Sequence, residues 1–497
     1  MALESRVLLS NNTVYTVTNT NDSGAGSLRY EVGLANSDHG ANTITFDPTV
    51  FATAQTIKLT SGQIELNDAG GVTITAPTTG VTIDAQHSSR VFKIDSGSKA
   101  SLNGLTITGG NGTPNIVGGG LYVADGATAN LTSCTVSGNS AASDGGGIWS
   151  LGTLNVSDSS VSGNSGGAKG GGILSRGGSV TLTDVTLANN NSSYGGGIEV
   201  YLSTAKLTNC TVSGNHVRTA GGGIYVYHSS SSLTLNNTIV TGNIAGIVGG
   251  EIYGAVSGQN NLIGAGGGSG GLKNGVNGNL VNVSNPLLAP LGNYGGATQT
   301  MALLPGSPAI DAGSNALAIG TADQRGEPRL GTVDIGAFES QGFTLTPVAG
   351  STPQSTSPGT AFSNPLAVTV TPNNAGEPVD GGVVTFAVPG SGASATLVGN
   401  PATIASGIAS VTATANPTAG AYNVTAITSG VTTTASFALT NGAATGSLIV
   451  NTTSDVVNPD DGLNSLREAI AYANTFTSAL SHLNCRIVKI PEKEDST

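Results

Sequence analysis

Charged residues, cysteines and long apolar runs are all scarce in this sequence. Charged residues make up 9% of the 497 residues, whereas about 25% is usual in soluble domains. No apolar run approaches the roughly 18–20 residues that a transmembrane helix needs, so no membrane-spanning segment is expected. The formal net charge of −12 argues against a nucleic-acid partner, because phosphate binding requires a basic surface.

The cysteines and the first ten residues bear on export. Cys134, Cys210 and Cys485 are too few for a disulfide framework. Residues 1–10, "MALESRVLLS", contain a short apolar stretch but lack the apolar core of roughly 7–15 residues that a secretion signal has. We therefore expect that export uses another signal or that the true start lies upstream.

Glycine, serine, threonine and asparagine supply most of the polarity instead. Glycine alone accounts for 75 residues, and this mixture favours strands and turns over helices. Two short words recur about every 25 residues, a period typical of solenoids. The first is "SGN"-like and ends at Asn139, Asn164, Asn190, Asn215 and Asn243. The second is "GGG"-like and begins at Gly118, Gly145, Gly170, Gly195, Gly221 and Gly249.

Short alternating segments between these words predict an all-β protein, a right-handed parallel β-helix with one coil for each repeat. Each coil adds a strand about 4.8 Å from the previous one, so roughly nine coils between residues 43 and 265 make a rod of about 40 Å. Equivalent residues then stack in columns. Two aliphatic columns are expected to fill the interior: Ile148, Ile173, Ile198, Ile224 and Ile252, and Val136, Val161, Leu187, Val212 and Val240.

The polar words are expected at the turns between strands. Asparagine tolerates left-handed geometry and bonds to nearby backbone, and stacked asparagines can bond from coil to coil. The glycine triplets permit a sharp corner that a Cβ would obstruct. Cys134 and Cys210 share a column three coils apart, about 14 Å, which exceeds the roughly 7 Å limit for a disulfide. Both thiols are predicted to be small inward fillers, with no shared metal site.

Residues 285–341 carry the words "LLPGSPAIDAG", "DQRGEPR" and "VDIGAFE". These closely resemble the segment that follows β-helix coils in the choice-of-anchor Q family of bacterial surface proteins. Likewise, "GAGSLRYEVGLANS" resembles the module that precedes β-helices in the same proteins, and "LESRVLLS" resembles a short N-terminal motif of large exported proteins. The resemblance implies an exported, surface-associated β-helix, and it transfers no catalytic residues.

Alternating strands at residues 342–446 predict a β-sandwich that resembles bacterial immunoglobulin-like domains of the invasin kind, with Tyr422 at a tyrosine-corner position. Beyond it, "SLREAIAYANT" restates "SLRYEVGLANS", so a second module is predicted to begin and to be truncated. The predicted domains are residues 1–10 (export-type motif), 11–45 (cap), 46–284 (parallel β-helix), 285–341 (choice-of-anchor Q type segment), 342–446 (immunoglobulin-like domain) and 447–497 (second module).

The carboxylates bear on whether the protein is an enzyme at all, either a polysaccharide lyase or a glycoside hydrolase. Hydrolysis requires paired carboxylates, yet the only "DD" is Asp460–Asp461, outside the coils. Asp158 and Asp184 share a column on adjacent coils, about 4.8 Å apart, and can hold Ca²⁺ with backbone oxygens. The favoured interpretation is that both are exposed residues of a polar turn. No catalytic residue and no cofactor other than this Ca²⁺ candidate are predicted.

The strand after each glycine word presents aromatic and charged residues outward. One outward face is predicted to contain Tyr122, Trp149, Arg176, Glu199, Tyr201, Tyr225, Tyr227 and Tyr253. Aromatic rings beside hydrogen-bonding groups suit contact with sugar rings or a protein partner. The structural alternative is that the rings stack on one another or lie beneath residues 285–340.

These features predict an extracellular or cell-surface protein that binds a polysaccharide or another surface protein without catalysis. One alternative is a lyase or glycoside hydrolase that acts on an acidic polysaccharide. A purely structural surface fibre is the other.

Overall fold

The computed structural model describes residues 12–112, 117–442 and 465–474. Residues 1–10, the Asp460–Asp461 pair, Cys485 and most of the predicted second module lie outside these residues. The elements up to residue 112 are β1 (Val14–Val17), α1 (Leu28–Asp38), β2 (Asn42–Phe46), β3 (Gln55–Lys58), β4 (Ile64–Leu66), β5 (Val72–Thr75), β6 (Val81–Asp84), β7 (Phe92–Ile94), β8 (Lys99–Asn103), β9 (Leu105–Thr108) and β10 (Asn111–Gly112).

Short strands continue through the repeats. They are β11 (Leu121–Val123), β12 (Thr128–Thr132), β13 (Thr135–Ser137), β14 (Ser140–Ala141), β15 (Ile148–Ser150), β16 (Thr153–Ser162), β17 (Ser165–Gly166), β18 (Ile173–Arg176), β19 (Ser179–Ala188), β20 (Asn191–Tyr194), β21 (Ile198–Tyr201), β22 (Thr204–Thr208), β23 (Thr211–Ser213), β24 (His216–Ala220), β25 (Ile224–Tyr227), β26 (Ser232–Asn236), β27 (Ile239–Thr241), β28 (Ile244–Ala245), β29 (Ile252–Tyr253), β30 (Ser257–Gln259), β31 (Leu262–Gly264) and β32 (Leu280–Val283).

The remaining elements follow residue 340. They are β33 (Phe343–Pro347), β34 (Gln354–Thr356), β35 (Leu366–Pro372), β36 (Val383–Ala387), β37 (Ala395–Val398), β38 (Ala402–Thr403), β39 (Ile408–Ala415), β40 (Gly420–Ile427), β41 (Ala435–Asn441) and α2 (Leu466–Asn474). Neither helix is long and apolar enough to cross a membrane.

The strands up to β32 wind into a right-handed parallel β-helix of about 9 turns, as the repeats predict. Sheet 1 has 18 strands, sheet 2 has 8 and sheet 3 has 6. Sheet 2 contains β4, β7, β11, β15, β18, β21, β25 and β29, and sheet 3 contains β10, β14, β17, β20, β24 and β28. The other strands up to β32 form sheet 1.

Both predicted aliphatic columns are confirmed by the strand register. Ile173 pairs with Ile148 on one side and with Ile198 on the other, and all three are fully buried. The second column pairs Val161 with Leu187 in the same way. Burying these side chains removes apolar surface from water, worth about 25 cal/mol for each Å². The interior of the tube is therefore the hydrophobic core.

The asparagines form a continuous ladder inside the tube. Oδ1 of Asn164 accepts hydrogen bonds from the backbone N and Nδ2 of Asn139, both at 3.0 Å. The same pair of bonds recurs down to Asn243. The predicted left-handed geometry belongs to the preceding residue instead, such as Gly163 at φ +64°. Asparagine stands here because its amide can both donate and accept along the axis.

Glu251 ends this ladder, and sequence reasoning missed its role. It stands where earlier coils have the third glycine of the triplet, and its Oε2 accepts from Nδ2 of Asn243 at 2.7 Å. Its Oε1 accepts from the backbone N of Gly242 and Gly266. The carboxylate thus satisfies donors that a further asparagine would otherwise satisfy.

The two described cysteines are free and buried, as predicted. Cys134 stands in the column of Ser159, whose hydroxyl accepts a hydrogen bond from the Cys134 backbone N. Burial raises the pKa of the Cys134 thiol to about 11. A thiol that stays protonated is a poor nucleophile, so Cys134 is a core residue rather than a reactive one.

Residues 285–341, here called the clamp, pack along a bend in sheet 1. Each coil bends there at one left-handed residue: Ser133, Asp158, Asp184, Asn209, Asn237 and Asn260. Asn237 exchanges two hydrogen bonds with the backbone of Ser314, and Thr298 donates to the carbonyl of Asp158. The expectation that Asp158 and Asp184 are exposed is wrong, because the clamp covers this part of the bend: Asp184 is 3% exposed and Asp158 is half-buried.

Residues 343–441 form two sheets that share one core. The first contains β33, β35, β39 and β37, and the second contains β34, β41, β40, β36 and β38. Phe386 of β36 and Phe437 of β41, both in the second sheet, pack together in this core with ring centroids 5.8 Å apart. Tyr422 does not form a tyrosine corner, because its buried hydroxyl has no hydrogen-bond partner among the described residues and its backbone in β40 pairs with Leu439 of β41.

Helix α1 packs against the first coils. Its apolar residues Leu28, Val32 and Ala35 are buried against the strands. Arg29 donates to the carbonyls of Gln63 and Gly62 and pairs with Asp22 at 2.7 Å. The helix therefore packs against the first strands of sheets 1 and 2.

Candidate ligand-binding face

The outward surface of sheet 2 brings together the predicted face residues. Trp149 pairs with Tyr122 and Leu174, and Glu199 pairs with Leu174 and Tyr225. The neighbouring column aligns Arg176 with Tyr201 and Tyr227. We call this surface the aromatic face, and it consists of Tyr122, Trp149, Arg176, Glu199, Tyr201, Tyr225, Tyr227 and Tyr253, with Lys169 and Tyr194 beside them.

The glycine corner determines how close the chain comes to this face. Gly195 has φ +60°, and a Cβ there would lie 2.7 Å from the Cβ of Glu199. Gly170 would meet Leu174 at the same distance. Glycine is needed because each corner folds directly against the first outward residue of its own strand. Consequently the first outward column is more buried than a sheet surface usually is, and Leu174 is only 1% exposed.

Tyr122 and Trp149 form the first ring cluster of the face. Their centroids are 5.6 Å apart at an interplanar angle of 75°, an edge-to-face contact. The Arg90 guanidinium lies 4.8 Å from the Tyr122 centroid, and it donates to the carbonyls of Val117 and Gly118. The indole Nε1 of Trp149 is buried without a hydrogen-bond partner. The indole N–H of Trp149 is therefore a buried donor that lies beside the surface and forms no hydrogen bond with the described residues.

Stacked tyrosines from three neighbouring coils form the second cluster. Tyr225 lies 5.1 Å from Tyr253 and 5.7 Å from Tyr227, with interplanar angles of 21° and 12°. Tyr201 stacks on Tyr227 at 5.9 Å. The rings therefore cover much of one another, which is the structural alternative considered for this face. Tyr227 is nevertheless 51% exposed and Tyr253 is 37% exposed, so ring edges and hydroxyls remain available.

Glu199 is an unusual carboxylate within this face. Its side chain is fully buried, and neither oxygen has a hydrogen-bond partner. Burial raises its pKa to about 8, Lys169 and Arg176 act against that rise, and Asp144 adds to it. Lys169 lies 3.9 Å away and is itself partly exposed, so it offsets only part of the desolvation. Glu199 is therefore mostly protonated near neutral pH.

Two cations lie beside a single tyrosine ring. The Lys169 Nζ is 5.1 Å from the Tyr201 centroid, and the Arg176 Cζ is 5.5 Å from it. Sequence reasoning selected Arg176 but missed Lys169, which precedes β18 and lies outside the named strands. Lys169 shares a column with Asp144 and Tyr194, which pair with it as isolated bridges. This column is the sequence pattern that could have identified Lys169.

The calcium candidates Asp158 and Asp184 lie under the clamp, away from the aromatic face. The Arg329 guanidinium forms an ion pair with Asp184 and a second one with Glu339 at 3.4 Å. Burial raises the pKa of Asp184, and the neighbouring Arg329 guanidinium acts against that rise. Arg329 thus supplies the positive charge at the position where the sequence suggested Ca²⁺, and the calcium site stays a prediction. Among the residues described, no group of three or more His, Cys, Asp or Glu is placed to hold a metal ion.

A cleft opens at the end of the aromatic face. It has a volume of about 710 Å³ and is lined by Val248, Ile252, Tyr253 and several glycines. Ile247 at its rim is 76% exposed. The tyrosine ladder therefore ends beside this shallow, open cleft.

Strand register and core columns define this molecule as a right-handed β-helix protein. The family described as "Right handed beta helix region" matches residues 91–264, which include most of the aromatic face. The chain shows no significant match to a curated protein. Among solved structures, it is similar to the "Crystal structure of Dettilon tailspike protein (gp208)", with 11% identity, 86% of this chain and 93% of that chain covered, and a TM-score of 0.27.

Proposed function

We propose that the protein is an exported cell-surface β-helix protein whose aromatic face binds a glycan without catalysing its breakdown. The observation that carries this proposal is the exposed edge of the tyrosine ladder beside Lys169 and Arg176. Tyrosines combine apolar rings with hydroxyls that can bond to sugar hydroxyls, and they lose little conformational entropy on binding. Tyrosine contacts also repeat on neighbouring coils, Tyr201 with Tyr227 and Tyr225 with Tyr253, which suits a repeating polymer.

The clamp and the sandwich support the surface location. The words "LLPGSPAIDAG" and "VDIGAFE" resemble the choice-of-anchor Q segment, and we propose that the clamp is this segment. We also propose that residues 342–446 are an immunoglobulin-like spacer, since two sheets pack there around one core. On this proposal, the spacer separates the aromatic face from whatever holds the protein at the surface.

Glu199 favours a second candidate, a hydrolase or lyase acting on an acidic polysaccharide. A carboxylic acid with a pKa near 8 is suited to general acid chemistry, and Asp144 is close enough to raise that pKa. Depolymerisation assays on pectin and alginate distinguish the two candidates. New reducing ends would establish hydrolysis, and unsaturated products would establish a lyase.

Binding to a glycan array tests the proposed function directly. The full chain is compared with Tyr201→Ala/Tyr227→Ala and with Tyr30→Ala, a control that removes a 45% exposed tyrosine on α1. We expect the double variant to weaken binding about tenfold or more, because each aromatic contact is worth about 0.5–1.5 kcal/mol. The control should bind like the wild type. If the array captures no glycan, the proposal is wrong and the structural fibre is favoured.

A further inference from the structure

We infer that the aromatic face contains an anion subsite, formed by Lys169 and Arg176 beside Tyr201, that binds the carboxylate or sulfate of an acidic glycan. This inference rests on the proposed glycan binding and specifies its substrate class. Basic residues are few in this chain, 17 against 29 acidic ones. Two of them nonetheless lie beside the same ring of the face.

The ring stack places both cations on one side of Tyr201. Tyr227, from the next coil, stacks on Tyr201 with an interplanar angle of 13° and so covers one face of the ring. Lys169 and Arg176 belong to the preceding coil, and Arg176 is the direct register partner of Tyr201. Both cationic groups therefore approach the other side of the ring, where one sugar residue can contact them together.

These cations are poorly neutralised by the protein itself. Arg29, Arg325 and Arg329 are each paired with carboxylates, whereas Arg176 is exposed and forms no ion pair within the residues described. The carboxylate nearest to Lys169 is that of Glu199 at 3.9 Å. An anion from outside can therefore form the charge-assisted hydrogen bonds that the fold leaves unmade.

Protonation of Glu199 controls how much of the Lys169 charge is free. The titratable and charged groups around Glu199 are Asp144, Lys169, Arg176 and Tyr225. The pKa of Glu199 is about 8, and at a pH below this value Glu199 is neutral and leaves Lys169 to the ligand. Above it, the new carboxylate competes for Lys169 and repels an anion. Binding of an acidic glycan should therefore weaken as the pH rises through about 8.

Equilibrium binding to three polymers tests the subsite. Polygalacturonate carries carboxylates, dextran sulfate carries sulfates and dextran is neutral. At pH 7 we expect the full chain to prefer at least one acidic polymer, and Arg176→Gln and Lys169→Met each to weaken that binding about tenfold. Lys206→Met removes an exposed lysine from sheet 1 and should change nothing. The preferred polymer identifies carboxylate or sulfate as the anion.

A pH series adds a readout that ordinary loss of structure would not produce. Wild-type affinity for the acidic polymer should fall between pH 7 and pH 9, and Glu199→Gln should remove that dependence. Equal binding of dextran and both acidic polymers, unaffected by Arg176→Gln, would overturn the subsite and leave the proposed glycan binding intact. Failure to bind any glycan in this assay and on the array would refute both.

Discussion

At the scale of single residues, left-handed backbone positions decide where each coil turns. Gly163 and Gly170 belong to the same coil and have φ of +64° and +57°. A Cβ on Gly163 would meet nothing within 4 Å, whereas one on Gly170 would lie 2.7 Å from the Ile173 carbonyl oxygen and the Leu174 Cβ. Conformation alone restricts the first glycine, and conformation together with close packing restricts the second.

Replacing each of these glycines with alanine should separate the two effects. Gly163→Ala places an L-residue in left-handed geometry, which costs about 1–2 kcal/mol. Gly170→Ala adds a clash that the backbone must relieve. The free energy of unfolding of this variant should therefore fall by about 1–3 kcal/mol more than that of Gly163→Ala. Urea unfolding followed by circular dichroism measures both. Equal midpoints for the two variants would show that the corner does not pack against the strand as described.

Individual residues also show where sequence reasoning succeeded and where it stopped. The columns of sheet 2 were predictable, because parallel strands from a strict repeat keep one register. The burial of Glu199 was not, since it depends on how tightly the corner at Gly195 folds against the strand. The burial of Asp184 was not either, because Arg329 lies 145 positions further along the chain. Local periodicity carries no signal for such a distant contact.

At the scale of elements, the clamp is held to the bend of sheet 1 by buried polar contacts. Thr186 Oγ1 lies 2.9 Å from Thr300 Oγ1 and 2.6 Å from Gln324 Oε1. Arg329 adds its ion pair with Asp184. A surface salt bridge contributes little, but both of these side chains are at most 5% exposed. Their pairing therefore matters to the docking of the clamp.

Removing Arg329 should loosen the clamp. Arg329→Met leaves Asp184 buried without its cation, and even after Asp184 takes up a proton we expect a loss of about 2 kcal/mol or more. Arg218→Met, at an exposed arginine of β24, is the matched control and should change stability little. Thermal unfolding and limited proteolysis of residues 285–341 provide the measurements.

A second substitution checks that the loss comes from the unpaired carboxylate. Asp184→Asn/Arg329→Met removes both charges, and we expect it to recover part of the lost stability. Asp184→Asn alone gives the cost of the second substitution. If that full cost is added when Asp184→Asn is combined with Arg329→Met, the two side chains do not act as a pair.

At the scale of the whole molecule, the clamp also joins the β-helix to the sandwich. The Arg325 side chain is fully buried at this junction, 2.9 Å from Asp323 and 3.4 Å from Glu377 of the sandwich. Its guanidinium also stacks 3.6 Å from the Phe338 centroid. Backbone contacts continue the junction, since the N–H of Val383 donates to the carbonyl of Pro305 at 2.8 Å. Asp323 and Arg325 of the "DQRGEPR" word thus have structural partners at this junction.

This junction should make the clamp and the sandwich unfold together. Glu377→Gln removes a buried charge that accepts hydrogen bonds from the Gln341 backbone and from Arg325, and breaking a buried pair from one side costs about 3–5 kcal/mol. In differential scanning calorimetry we expect the variant to show an earlier, separate transition of the sandwich, whereas the wild type unfolds the two parts in one transition. Asp380→Asn, at an exposed carboxylate of the same sandwich, should keep the wild-type profile. Should Glu377→Gln lower all transitions equally without separating them, Arg325 and Glu377 stabilise the fold but do not couple its parts.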